Sequence, residues 1–107
     1  MAARALINFP KTAKRGSVIE IKTLISHVME TGYRHSTEGQ AIPRDIITSF
    51  SCKYEGEEIF STTFYPAIAA NPFVTFHTVA DKSGTLTFIW EGDNGFSVTE
   101  EAKIVVS

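Results

Sequence analysis

Hydrophobic and polar residues alternate with a period of two along much of the chain, most clearly between residues 44 and 54. One side of this stretch carries Ile46, Thr48, Phe50, Cys52 and Tyr54, and the other carries Ile47, Ser49, Ser51 and Lys53. This alternation is typical of a β-strand that buries one face. The turn residues Glu55–Glu57 and the β-branched and aromatic run Glu58–Phe64 follow. The pattern therefore predicts a β-hairpin at the centre of the fold.

Similar patterns predict five further strands, over Arg4–Phe9, Ser17–Val28, Phe73–Ala80, Thr85–Glu91 and Phe96–Val106. In the longest of them, the predicted buried row is Ile19, Ile21, Thr23, Ile25 and His27. Turn signals recur at short intervals, and no segment has the period of a helix. About seven antiparallel strands of this kind predict an all-β, two-sheet immunoglobulin-like β-sandwich. At 107 residues, the chain is expected to form a single domain over residues 1–107.

Two connections between the predicted strands are long and lack periodicity, namely Met29–Pro43 and Tyr65–Pro72. Antiparallel strands reverse direction at every connection, so these two and Gly92–Gly95 are expected at one end of the sandwich. The basic turn Lys11–Gly16 and the turns Glu55–Glu57 and Asp81–Gly84 are expected at the other end. A rigid sandwich that gathers irregular loops at one end is typical of a recognition protein.

Composition argues against nucleic-acid binding, a membrane helix and an internal disulfide. The net charge of -2 offers no basic field for nucleic acid, and no apolar run approaches the ~20 residues of a membrane helix. A single cysteine excludes an internal disulfide. The first ten residues lack the apolar region of a secretory signal, which is typical of a cytoplasmic chain and equally of a mature chain or of one exported with a partner.

Three histidines and one cysteine are the candidate metal ligands, at His27, His35, His77 and Cys52. No two of them have the spacing of a metal motif, and no histidine follows the cysteine closely as in a blue-copper site. Cys52 is interpreted as a small buried hydrophobe with a raised thiol pKa. His27, at a strand end beside Met29 and Glu30, is the best candidate for a functional role. The chain also lacks nucleophile-elbow and phosphate-loop motifs, so neither catalysis nor a cofactor is expected.

The order of several short segments resembles the SoxZ family, the small subunits of the SoxYZ sulfur-carrier complex of bacterial thiosulfate oxidation. These segments are HVMETGYR from His27, IPRDII from Ile42, FSCKYEGE from Phe50, PAIAANPF from Pro66, SGTL from Ser83 and WEGDNG from Trp90. The resemblance extends from Arg4 to about Phe96. One departure is Val28, where the family is expected to carry a proline between the histidine and the methionine.

The resemblance implies a non-catalytic subunit that forms a heterodimer with SoxY and helps present sulfur intermediates bound to a SoxY cysteine. Other Sox enzymes are then indirect partners, in the periplasm, with export supplied by the twin-arginine signal of SoxY. Cys52 does not match the carrier cysteine, because it lies in mid-strand without flanking glycines. The predicted partner interface comprises His27, Met29, Glu30, Tyr33, Arg34, Phe64, Tyr65, Asn71 and Phe73.

Two alternatives remain at this point. An iron enzyme similar to superoxide reductase has a scaffold of the same kind and His-x-Met-Glu stretches, but its centre uses four histidines and a cysteine. The present chain has three histidines. A self-associating module of the adhesion type is the other alternative, and homodimers are also expected when the SoxY partner is absent, because uncovered edges attract copies of themselves.

Overall fold

The computed structural model describes residues 4–107, which contain eight β-strands and one short 3₁₀ helix. The strands are β1 (Ala5–Asn8), β2 (Thr12–Ala13), β3 (Val18–Ile25), β4 (Ile47–Tyr54), β5 (Glu57–Thr63), β6 (Phe73–Val79), β7 (Gly84–Gly92) and β8 (Ser97–Val106). The 3₁₀ helix spans Asp93–Gly95. No helix in this part of the chain is long and apolar enough to cross a membrane.

The strands form two sheets, one of order β1-β3-β6 and one of order β2-β8-β7-β4-β5. This arrangement confirms the predicted immunoglobulin-like sandwich and its central β4–β5 hairpin. One part of the prediction is wrong, because the segment read as a basic turn contains β2, which pairs in parallel with β8. The chain thus passes from the first sheet to the second at Pro10 and closes one side of the sandwich. Periodicity does not reveal a strand of two residues.

The core lies between the sheets and is rich in aromatic side chains. Phe50 is completely buried and its ring centroid lies 5.1 Å from that of Trp90 and 6.0 Å from that of Phe76. Between the edge strands β5 and β6, Phe60 stacks on Phe76 with ring centroids 4.5 Å apart. The alternating positions predicted to face inward from β3, β4 and β7 are buried, except Thr48 of β4, which is half-buried.

Ile47 is an exception to the predicted alternation. The alternation predicts Ile47 on the face opposite Ile46, yet both side chains are buried. The register between β4 and β7 shifts between Ile47 and Ser49, so one extra residue of β4 forms a β-bulge. A bulge rotates the strand locally and brings two consecutive side chains toward the core. At the same point Gly92 lies against the β4 backbone, where an added Cβ would be 2.4 Å from the Ile46 carbonyl oxygen.

Candidate functional site

Three connections meet at one end of the sandwich, as the strand count predicts. This surface, called the loop end here, consists of residues 26–46, 64–72 and 92–96. The Asn71 amide donates to the His27 carbonyl oxygen over 2.7 Å, and the Asp93 amide donates to the Ile46 carbonyl oxygen over 2.9 Å. These backbone hydrogen bonds hold the three connections together.

His27 is the residue on which two of these connections depend. Its imidazole is 6% exposed, and its Nδ1 atom accepts a hydrogen bond of 2.9 Å from the Met29 amide. Because Nδ1 accepts, the ring proton lies on Nε2, which is 3.7 Å from Oδ1 of Asp45. The ring also meets Phe96 edge-to-face, with centroids 4.8 Å apart. His27 therefore positions the loops through its ring, and its backbone amide donates to the Asn71 side chain over 2.9 Å.

Two residues beside His27 adopt the left-handed backbone conformation. Asn71 has φ 53° and Met29 has φ 52°. Asparagine enters this region readily, whereas methionine does so rarely. Met29 is buried, and its sulfur accepts a hydrogen bond of 3.3 Å from the Ile47 amide. Burial and this contact hold the methionine in a conformation that the sequence does not signal.

Two ion pairs reinforce the loop end. Arg44 donates two hydrogen bonds, of 2.8 and 2.9 Å, to the carboxylate of Asp93, which also accepts the Ile46 amide. Arg34 similarly donates to Glu30 over 2.7 and 3.2 Å. The hydrogen bond from Arg44 lowers the pKa of Asp93, and the hydrogen bond from Arg34 lowers the pKa of Glu30.

The long connection Met29–Pro43, expected from its sequence to be irregular, is held by backbone hydrogen bonds within it and to Asp45 just beyond it. Glu30 and Asp45 exchange amide-to-carbonyl bonds of 2.8 Å in each direction. His35 and Ala41 form a further antiparallel bridge, closed by a turn in which the Ser36 amide donates to the Gln40 carbonyl oxygen. The loop is thus a small hairpin, and it presents its side chains from a defined backbone.

The predicted interface residues divide into a buried and an exposed group. Met29 and Phe64 are buried, and the His27 imidazole and the Glu30 carboxylate face inward. These four side chains support the loops from the interior of the domain. The exposed group consists of Tyr33, Arg34, Tyr65, Asn71 and Phe73. Tyr33 is 79% exposed and Tyr65 is 65% exposed. Val28, which was not in the predicted set, is also exposed beside them.

The candidate metal ligands do not converge. No cluster of three histidine, cysteine or acidic side chains with metal-binding geometry occurs in residues 4–107. Cys52 is buried in the core, where desolvation raises the pKa of its thiol to about 12. This agrees with its predicted role as a buried hydrophobe. His77 lies on the outer face of β6, 3.4 Å from the carboxylate of Glu20, and His35 is exposed.

The Arg44–Asp93 pair gives a pH-dependent prediction. Because the folded-state pKa of Asp93 is lowered, its ionised form stabilises the fold above the unfolded pKa of about 3.9, and this contribution disappears as the pH falls through the folded pKa. We expect Asp93→Asn to lower the melting temperature at pH 7, and the difference from the wild type to shrink between pH 7 and pH 2 as the wild-type carboxylate becomes protonated. Melting curves across this range test the prediction. Asp81→Asn is the control, because its carboxylate makes no ion pair within residues 4–107.

The fold and the loop end define a β-sandwich of the immunoglobulin-like class that presents ordered loops at one end. The family described as "Sulphur oxidation protein SoxZ" matches residues 7–103, nearly the whole chain. The chain therefore belongs to the SoxZ family, and it is a sulfur-oxidation protein of the Sox system. No curated protein matches the sequence.

Solved structures share the fold at low sequence identity. The superoxide reductase (neelaredoxin) of Ignicoccus hospitalis is 20% identical, with a TM-score of 0.76, covering 96% of this chain and 80% of that one. The sulfur carrier protein SoxY of Chlorobium limicola f. thiosulfatophilum is 15% identical, with a TM-score of 0.66, covering 96% of this chain and 78% of that one. A putative superoxide reductase of Thermotoga maritima is 18% identical, with a TM-score of 0.67, covering 96% and 85%. At these identities the likeness concerns the fold alone, and it assigns no iron chemistry to this chain.

Proposed function

We propose that this chain is a non-catalytic subunit that binds SoxY and helps present sulfur intermediates, carried on a SoxY cysteine, to the enzymes of thiosulfate oxidation. The observation that carries the proposal is the SoxZ family match over residues 7–103. The proposed heterodimer acts in the periplasm and is exported with SoxY. The other Sox enzymes are proposed as indirect partners, which meet the complex where the carrier cysteine of SoxY presents its sulfur intermediate.

The chemistry of the single thiol supports a presenting role. A carrier cysteine must reach solvent and must ionise, because the thiolate is the nucleophile. Cys52 is completely buried in mid-strand, and its pKa is raised to about 12. Cys52 is therefore not a reactive group that could accept sulfur. The proposed role depends instead on a surface of this chain that binds SoxY.

The proposed surface is the exposed group, which lies at the loop end except for Phe73, the first residue of the adjoining strand β6. Tyrosine supplies a large contact area with few rotatable bonds and is enriched among residues that dominate binding energy. Tyr33 and Tyr65 project from connections whose backbones are fixed by hydrogen bonds. A preordered surface of this kind loses little conformational entropy on binding. His27, Met29, Glu30 and Phe64 are proposed to act indirectly, by holding these connections in place.

Co-elution tests the proposal. Purified chain and SoxY, mixed at micromolar concentration, are expected to elute as one heterodimer in size-exclusion chromatography with light scattering. Separate elution of the two proteins would overturn the proposed function. Turnover of a sulfur compound by the isolated chain, or sulfane sulfur attached to Cys52 during turnover, would contradict its non-catalytic character.

The exposed tyrosines give a second prediction. We expect the double variant Tyr33→Ala/Tyr65→Ala to weaken SoxY binding by at least about thirtyfold, because truncating a central aromatic anchor costs roughly 2 kcal/mol or more. Calorimetric titration measures the change. The matched control is Glu57→Ala/Lys82→Ala, two exposed side chains at the opposite end of the sandwich. Equal affinities for both double variants would place the interface away from the loop end.

A further inference from the structure

The four edges of the two sheets differ in how well they are protected against pairing with another strand. β1 has four residues and runs into Pro10, and β2 has two residues. On β5, Ile59 is an extra residue at a β-bulge, and Glu57 and Glu58 add charge. Short strands, bulges and charges are the usual means of blocking an edge.

β6 lacks these means of protection. It is seven residues long, from Phe73 to Val79, and pairs regularly with β3 on one side. It contains no lysine and no proline, and no register shift interrupts its pairing. Within residues 4–107, no strand pairs with its other side. β6 is therefore an open edge.

Alternation determines which backbone groups the open edge presents. On the β3 side, the Pro72 carbonyl oxygen accepts the Ile25 amide, and the Val74 carbonyl oxygen accepts the Thr23 hydroxyl. The Ala80 amide donates to the Ser17 carbonyl oxygen, just before β3. Successive residues of a strand point their amide and carbonyl groups to opposite sides. The groups of Phe73, Thr75, His77 and Val79 consequently point away from the sheet, free to bond an added strand. Their side chains all lie on the outer, exposed face.

The outer face of this sheet also has an apolar row at each end. Leu6, Leu24 and Phe73 lie opposite one another across the three strands near the loop end. Val18 and Val79 form the row at the other end. Leu6, Val18, Phe73 and Val79 are each more than half exposed. Between the rows lie polar side chains, among them Glu20, Lys22, Thr75 and His77.

This pattern is symmetric about Phe76. We propose that the β6 edge binds the β6 edge of a second copy, antiparallel and centred on Phe76, so that the two β1-β3-β6 sheets become one six-stranded sheet. Phe73 then lies opposite Val79 of the second copy, and Thr75 lies opposite His77. Each such pair exchanges two backbone hydrogen bonds. Every outward-pointing backbone group of β6 finds a partner by a single two-fold rotation.

The same register joins the apolar rows. One continuous apolar row then crosses the seam, from Leu6, Leu24 and Phe73 of one copy to Val79 and Val18 of the other. The two-fold axis generates a second, identical row. A shift by two residues instead places Phe73 opposite His77 or leaves it unpaired, which separates the apolar side chains. The centred register also brings no like charges opposite each other on the two β6 strands. Self-pairing thus places the exposed Phe73 and Val79 side chains of the two copies side by side, as cross-strand neighbours on the outer face.

The oligomeric state of the isolated chain tests the pairing, independently of SoxY binding. Sedimentation over a concentration series is expected to show a reversible monomer–dimer equilibrium. Thr75→Pro removes an outward amide without removing a bond inside the domain, and we expect it to weaken the dimer at least tenfold. Ser61→Pro is the matched control, since its amide points outward from the β5 edge, and it should leave the dimer unchanged.

A charge substitution gives a second test that spares the backbone. Val79→Lys is expected to weaken the dimer, whereas Val105→Lys, at a similarly exposed valine on β8, is not. A monomer at all concentrations would overturn the proposal, as would a dimer that persists in both Thr75→Pro and Val79→Lys.

Cross-linking tests the register. A mixture of Thr75→Cys and His77→Cys chains is expected to form mixed disulfide dimers, because these positions face each other across the pair. Thr75→Cys alone should form few, since its own counterpart lies two residues out of register, beyond the ~7 Å Cα separation that a disulfide tolerates. Cys52 does not interfere, because it is buried with a raised pKa. Equal yields in both experiments would exclude the centred register.

Discussion

Replacing Phe50 by alanine is expected to lower the free energy of unfolding by about 3–5 kcal/mol. Phe50 has no exposed surface, and its ring lies at the centre of an aromatic cluster with Phe60, Phe76, Phe88 and Trp90. Truncation removes the ring from contact with both sheets at once and leaves a cavity that they cannot close without moving. Such a loss is a large part of the roughly 5–15 kcal/mol that stabilises a typical domain. Urea denaturation measures it.

Two further variants make this result specific. Phe50→Leu keeps most of the apolar volume and should lose less than half as much stability as Phe50→Ala. Phe73→Ala removes the same side chain from an exposed site on β6, and at protein concentrations where the chain is monomeric we expect a change within about 0.5 kcal/mol. If Phe50→Ala were no more destabilising than Phe73→Ala, the aromatic cluster would not be the centre of the core.

The second large effect is expected at His27. We predict that His27→Ala lowers the free energy of unfolding by about 2–4 kcal/mol, because it leaves the Met29 amide without its acceptor and removes a buried ring that packs on Phe96. The variant should also weaken SoxY binding, because the connections that carry Tyr33 and Tyr65 lose a shared support. Urea denaturation gives the first quantity and calorimetric titration gives the second.

The controls for His27 separate its hydrogen bond from its ring. In His27→Asn the side-chain oxygen is placed to accept the Met29 amide, so this variant should recover part of the stability lost in His27→Ala. His35→Ala removes an exposed imidazole from the same connection and should change neither measurement. A loss of SoxY binding in His27→Ala with unchanged stability would instead indicate that His27 contacts the partner directly.

Much of the fold follows from the sequence, because hydrophobic and polar residues that alternate with a period of two show directly which face of a strand is buried. The rows through β3, β4 and β7 each place large apolar side chains on one face, and burying those faces against each other produces a sandwich. The meeting of the three connections at one end follows from strand reversal alone. The SoxZ resemblance adds the family, which the match over residues 7–103 confirms.

The arrangement of the site depends on contacts that periodicity does not encode. The polar, glycine-containing Met29–Pro43 connection is ordered by pairing with Asp45, a residue beyond it in the chain. His27 and Phe64 belong to the predicted interface, yet both side chains face inward. Whether such side chains face a partner or the interior is decided by packing against residues distant in sequence.

The sequence by itself determined the all-β class, the inward rows of the main strands and the burial of Cys52, because each depends on the alternation of neighbouring residues. The tertiary structure decided the parallel β2–β8 pair, the burial of Ile47 beside Ile46, the support of the loops by His27 and the open edge at β6. Each of these depends on which strand lies beside which, and strand pairing joins residues that are far apart along the chain.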